Sequence, residues 1–281
     1  MSDRSFEVKT HKMTEGNPFH TILLFAIPMI LSNLFQQLYN VIDTIIVVKR
    51  LGTDALAAVG SASSITAVFV QLASGLALGG SIVIAQYFGA GRTEKIWRCM
   101  STSVLFSAGV ALVSTTVIWA GAEPLLRLVN TPGKIIEAGV VYLRLYFLGC
   151  APIFVYNALN GVYVALGDSR TPLRFLMISS ALNVMLDLLF VIALHGGVGG
   201  AALATAISQF VAAALAMMDI PKLLKEFEHR KSDPLFDRTM LLTMLRFALP
   251  SALQQSIVSV GSVIVQATIN SLGPAVIAGS A

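Results

Sequence analysis

The chain has 281 residues and a formal net charge of +4, with 56% hydrophobic and only 12% charged residues and a mean hydropathy of +0.78. Soluble domains are about 25% charged, so a soluble globular protein is excluded for want of polar surface. Apolar runs of about 20 residues recur along the chain, each long enough to cross a bilayer as a helix, and they indicate an all-α integral membrane protein.

Six complete spans and the start of a seventh are expected. The first runs from Ile22 to Val48, the second from Ala55 to Phe88, the third from Cys99 to Ala120 and the fourth from Ile135 to Leu166. The fifth, Phe175 to Leu194, is followed by HGGVGG; the sixth runs from Ala201 to Ile220 and the seventh starts near Phe247. The polar residues 1–20 precede the first span, with no cleavable signal peptide among them. The stretch 221–246, KLLKEFEHRKSDPLFDR at its centre, is the long polar linker between a unit at 21–220 and one that begins at 247 and continues to 281. Cys99 and Cys150 fall in apolar runs and offer neither a disulfide framework nor a metal spacing.

The charges alternate between the two sides of the membrane. One side collects Arg4, Lys9, Lys12, Arg92, Lys95, Arg98, Arg170, Arg174, Lys222, Lys225, Arg230, Lys231, Arg238 and Arg246; the other has Lys49, Arg50, Arg127, Lys134 and Arg144. Fourteen against five places the N-terminus and the 221–246 linker in the cytoplasm of a multi-pass protein of the cell's inner (plasma) membrane. Basic residues so placed face lipid headgroups and are no sign of a nucleic-acid partner. An internal repeat is also visible. FAIP (Phe25 to Pro28) matches FALP (Phe247 to Pro250), and RLGTDALAAVG at 50–60 matches SLGPAVIAG at 271–279; the spacing from proline to glycine is 24 residues in one copy and 23 in the other. Six spans separate the copies, so both enter the membrane from the same side, the parallel arrangement of several transporters.

Polar residues inside the spans carry the functional signal. Asn33, Gln36, Asn40 and Asp43 are spaced 3, 4 and 3 and share one helix face. Ser179, Asn183 and Asp187 repeat the pattern in the fifth span, Thr205, Ser208 and Gln209 share a face in the sixth, and Asn157 and Asn160 in the fourth. Asp43 and Asp187 are the carboxylates deep within the spans. Intramembrane carboxylates mark functional sites, and two of them close together would hold either a proton or, with amide and hydroxyl oxygens, a small hard cation such as Na⁺. Pro28 lies within the first span and should kink or loosen it. LASGLALGGS at 72–81 carries a GxxxG spacing suited to close helix packing. GVGGAA at 197–202 imitates a dinucleotide fingerprint but follows a full-length span rather than a strand. No HExxH, GxSxG or Walker motif is present, so an enzyme is not expected, nor any cofactor beyond a coupling ion.

These residues resemble the multidrug and toxic compound extrusion (MATE) transporters. The likeness is carried by MTEGNP (13–18), FAIPMI with YNVIDTIIV, LGTDALAAVG, AQYFGAGR (85–92), NALNGVYVALGDSRTPL (157–173), LNVMLDLLF (182–190) and GGAALATAISQ (199–209). The resemblance implies a twelve-helix fold of two six-helix lobes, of which this chain would hold the N-terminal lobe and the start of the seventh helix. It implies an antiporter, driven by Na⁺ or H⁺, that expels small organic and often cationic compounds. By the same resemblance a cation site falls on Asp43, Asn183, Asp187 and Thr205, with Tyr39, Gln36, Asn40, Asn157 and Asn160 lining an adjacent substrate cavity and Pro28 as the point of helix bending. The family commonly has glycine after DTIIV, where this chain has Val48. The partner implied is a C-terminal lobe, or failing that a second copy through self-association.

Two other functions fit the same outline. A lipid-linked sugar flippase of a related fold would be expected to carry basic residues in its central cavity, where the spans here carry acids. A non-transporting membrane scaffold would leave the polar stripes without a use.

Overall fold

The computed structural model describes residues 17–224, 227 and 234–271. The N-terminal residues 1–16, with Arg4, Lys9 and Lys12, lie outside the described residues, as do Lys225, Arg230 and Lys231 of the linker and most of the second repeat copy.

The described residues are helical throughout, with short connections. Helix α1 (Pro18–Gly89) opens on Pro18, with the Asn17 side chain accepting from the Phe19 N–H at 3.0 Å, a proline-plus-cap start. It comprises two arms, 18–51 and 53–89, broken at Gly52, whose φ of 83° and ψ of −176° leave the helical region. Only glycine enters that region without strain, which is why the turn reads RLGTD. Each arm exceeds the roughly 20 residues that cross a bilayer. The dihedrals stay helical through Pro28, so the sharp break in α1 comes at Gly52 and Pro28 instead leaves a gap in the hydrogen-bond ladder. The second arm ends in a Schellman turn: Gly91 (φ 70°) donates to Phe88 O and Arg92 to Tyr87 O.

A 3₁₀ turn (Thr93–Lys95) leads into α2 (Ile96–Leu128). The expected fourth span is not one straight helix. α3 (Gly133–Leu148) and α4 (Cys150–Ala165) are bent by 48° at Gly149. A Cβ at Gly149 would sit 2.8 Å from Ala206 Cα, so glycine there allows another helix to wedge against the bend, and Thr115 Oγ1 donates to Phe147 O at 3.1 Å. α5 (Arg170–Asp187) continues as a π-helical turn (Leu188–Ala193). α6 (Gly197–Leu224) and α7 (Arg238–Ser271) complete the order. α7 starts upstream of the expected Phe247 because Asp237 caps it, accepting from Thr239 N–H at 2.8 Å and Met240 N–H at 3.2 Å. Among the described residues, with the two arms of α1 counted together, four helices are long and apolar enough to cross a membrane, or five with the bent pair taken as one span.

The second arm of α1 is the hub, and LASGLALGGS is its packing surface. A Cβ on Gly75 would land on Ala252 of α7 and one on Gly79 on Ala248. A Cβ on Gly80 would meet Ser103 of α2 at 2.6 Å, while Gly161 of α4 approaches Ala77 O closely enough to leave 2.9 Å for a Cβ. Three helices therefore touch this arm where side chains are smallest, the small-residue logic of membrane helix packing. Gly79→Leu is expected to push α7 off the hub and to destabilise the fold by about 1–3 kcal/mol, the usual cost of overpacking. Denaturant titration of the detergent-solubilised protein reads this, and an unchanged midpoint would mean that α7 is not held there.

One apolar cluster joins one end of the bundle: Val83, Ile84, Ile96, Cys99, Tyr163, Leu166, Leu223, Met240 and Met244. Around it lie Arg92, Lys95, Arg98, Arg170, Lys222 and Arg238. At the opposite end the Gly52 turn meets α3 through the Lys134–Asp54 pair (2.6 Å) and the Ala57, Ala58 and Ile135 contact. The fold thus gathers the charge-rich connections at one end and leaves few basic residues at the other.

Candidate functional site

The polar stripe of the first arm is mostly exposed. Asn33, Gln36 and Asn40 face outward, with Asn40 Nδ2 donating to Gln37 Oε1 at 3.3 Å. Its inner end turns inward: Tyr39 is half-buried and hydrogen-bonds Gln36, and Asp43 beside it comes within hydrogen-bonding range of Asp187. Asp187 is fully buried at the last residue of α5, one turn beyond Asn183, which is 2% exposed. Thr205, on α6, is buried against them.

The Asn183 amide has one orientation that satisfies both its ends. With nitrogen toward Asp187 it donates to Oδ2 at 3.2 Å while its oxygen accepts from the Thr205 N–H at 3.3 Å. The reverse orientation would set an amide oxygen against a carboxylate and keep only a 3.4 Å contact with Thr205 Oγ1. The first orientation is physically preferred, and it makes Asn183 the strut between α5 and α6.

Asp43 Oδ1 and Asp187 Oδ1 are both buried without a hydrogen-bond partner. The ion pairs Arg127–Glu123, Lys134–Asp54 and Lys222–Asp219 lie at helix ends and do not reach them. Two carboxyls in low dielectric with a free oxygen each form an acceptor-rich pocket, costly unless a positive charge or a proton enters it. The donors are hard oxygens, suited to a proton or a small cation of low charge. No group of three or more His, Cys, Asp or Glu suited to a transition metal occurs among the described residues.

The fold thus brings Asp43, Asn183, Asp187 and Thr205 together. Asn157 and Asn160 are half-buried on α4, and Asn157 is turned to its own helix and the second arm: Nδ2 donates to Ile153 O at 2.8 Å and Oδ1 faces Ser74 Oγ at 3.5 Å. Pro28 is buried on the first arm, well before Asp43 in the same helix. Three features escaped the sequence reading. Tyr142 and Tyr146 of α3 stack at 5.9 Å between centroids and lie near Asp43 and Tyr39; the signal was their i,i+4 spacing. The π turn after Asp187 is the second, with Leu194 N–H reaching back five residues to Leu189 O. The third is the role of HGGVGG. Gly196 N–H donates to Phe190 O at 2.8 Å, and a Cβ on Gly200 would lie 3.1 Å from the Phe190 backbone. The glycines let α6 begin against the π turn that follows Asp187.

Comparison with known proteins places the whole chain. The chain is 29% identical over 273 residues to the probable multidrug resistance protein YpnP of Bacillus subtilis, covering 97% of this chain and 61% of that protein. It is similar to the outward-facing conformation of a multidrug resistance MATE family transporter of the MOP superfamily, with 30% identity and a TM-score of 0.80 over 88% of this chain and 55% of that one. Against the inward-facing conformation of such a transporter the identity is 29% and the TM-score 0.70, over 82% and 52% of the two chains. The chain therefore spans little more than half the length of these relatives. The MatE family model matches residues 28–189, a stretch that contains Asp43, Asn183 and Asp187, and on that match, with an all-helical membrane fold, the chain belongs to the MatE family of membrane transporters, not to an enzyme family.

Proposed function

We propose that this chain is the N-terminal six-helix lobe, with the seventh helix docked on it, of a Na⁺- or H⁺-coupled antiporter that exports small organic, often cationic, compounds across the cell membrane. The observation that carries the reading is the facing pair Asp43 and Asp187, each with a buried oxygen lacking a partner. In this reading the coupling ion is transported cargo. It is held by Asp43, Asp187 and Thr205, with Asn183 as strut, and its arrival neutralises the pair. Tyr39, Gln36, Asn40 and Asn160 line the cavity of the organic substrate, Asn157 borders it while held by Ile153 O and Ser74, and Pro28 is where the first arm bends when the site changes occupancy. Alternating access needs two bundles rocking around a shared site, so efflux is expected to require a second lobe or a second copy seated on the exposed first arm.

Calorimetric titration of the purified chain in nanodiscs with Na⁺ at two pH values tests the site. Either saturable Na⁺ binding or a proton exchange that depends on Asp43 supports it; the absence of both refutes it. The charge-rich end belongs to the cytoplasm by the Lys/Arg bias. Lys134→Cys is expected to react with an impermeant maleimide added outside intact cells, and Lys222→Cys only after lysis. The opposite result would invert the topology.

A further inference from the structure

The turn LGDSRTP between α4 and α5 is fixed at nearly every residue. Gly167 (φ 86°) reverses the chain, and Asp168 N–H donates to Tyr163 O at 2.9 Å. Asp168 Oδ1 accepts from the N–H groups of Arg170 and Thr171, both at 3.0 Å, and Tyr156 Oη donates to Pro172 O at 3.1 Å. Ser169 stands at the N-cap of α5, where a serine ordinarily satisfies the N–H groups of its own helix. Here it caps nothing, because Asp168 has taken that task. Its hydroxyl instead leaves the turn and donates to Phe25 O on the first arm of α1, at 2.9 Å, with the side chain buried.

That acceptor sits where the helix is weakest. Pro28 has no N–H for the carbonyl of Leu24, and its ring crowds the preceding turn, the turn that holds Phe25. On the other side of the proline, Ser32 Oγ bonds back to Pro28 O at 2.9 Å, a contact that bends helices. A hydrogen bond from outside is therefore supplied beside the gap in the ladder of the first arm.

We propose that Ser169 is a positioning residue: its hydroxyl latches the Pro28 turn to the α4–α5 turn and so fixes the direction in which the first arm carries Asp43. The proposal rests on the reading of Pro28 as the bending point and adds what holds the bend. Releasing the bond frees the segment before Pro28 from α5 while leaving the cap of α5, made by Asp168, intact.

Hydrogen–deuterium exchange of the full 281-residue chain in nanodiscs, followed by mass spectrometry, tests it. Ser169→Ala is expected to speed exchange of peptides covering 20–32 by roughly tenfold, the loss of one buried hydrogen bond, and to leave the first turn of α5 unchanged. Ser169→Thr, which keeps the hydroxyl, should exchange as the parent does. Pro28→Ala should slow exchange over the same peptides, and Ser169→Ala added to it should change little, because the ladder is then whole. Unchanged exchange at 20–32 in Ser169→Ala, equal loosening of α5, threonine behaving as alanine, or an undiminished effect in the Pro28→Ala background would each overturn the latch. Should Pro28→Ala alone leave 20–32 unaltered, the bending point itself is refuted and the latch with it.

Discussion

Asp187→Asn is expected to abolish cation binding by this chain and to leave its insertion and helical content intact. Asp187 is completely buried, and its Oδ2 takes the Asn183 amide while Oδ1 has no partner. An asparagine keeps the size and polarity but cannot attract a positive charge. It also brings an NH₂ group that would have to face either Asn183 Nδ2 or the orphaned Asp43 carboxyl. Losing even an outer-shell partner of a metal ligand costs about 10–100-fold in affinity, so losing a charged ligand should cost at least that. Asp43→Asn should act in the same direction, since the two carboxyls form one pocket. Titration of both variants with Na⁺, with proton exchange followed in parallel, is the measurement. If both bound cations as the parent does, the carboxyls would be interhelical struts like Asn183.

The second large effect is expected from removing a single residue, Leu189, from the π turn. A π turn is in effect an α-helix with one residue added, and such turns persist mainly at functional sites. Deletion lets the helix return to α geometry, which removes the widened turn against which the start of α6 is seated. Phe190 would leave Gly196 and Gly200, the start of α6 would lose its seat, and Thr205 would no longer line up with Asn183. Cation binding should fall at least tenfold, about the loss of an outer-shell partner, while circular dichroism shows the helical content kept. Leu189→Ala, at an exposed side chain, should bind as the parent does. A deletion variant with parental affinity would show that the π turn has no part in placing Asp187.

The sequence by itself determined the class of the protein and singled out the residues of the candidate site. Apolar runs of span length leave no soluble alternative, and this is a property of composition that no tertiary contact can reverse. The placement of Asn183 one turn before Asp187 follows from helical periodicity alone, because residues four apart must share a face. That a carboxylate in hydrocarbon must find a partner is equally local, and so Asp43 and Asp187 stood out before any fold was known. The glycines at 75 and 79 announced a close helix contact in the same way.

Which helix would fill that contact was decided only in three dimensions. Ala248 and Ala252 of α7 meet the glycine pair across more than half of the described chain, and no periodicity encodes a partner at that distance. The 48° bend at Gly149 was hidden because an isolated glycine is compatible with a straight helix; it becomes a break where Ala206 wedges against it and Thr115 takes up Phe147 O. The π turn was hidden because it differs from an α-helix by one residue of register, which hydropathy does not resolve. Asn40 and Asn157 lie on the polar helix faces expected to line a substrate cavity; only the fold sets one outward beside Gln37 and the other against Ser74 and its own helix. Nothing in the sequence marks Ser169; the fold alone brings the carbonyl of Phe25 to it. Local spacing says which residues share a helix face, while the partner of that face is chosen by packing among helices far apart in the chain, where small residues permit the approach and unsatisfied polar groups compel it.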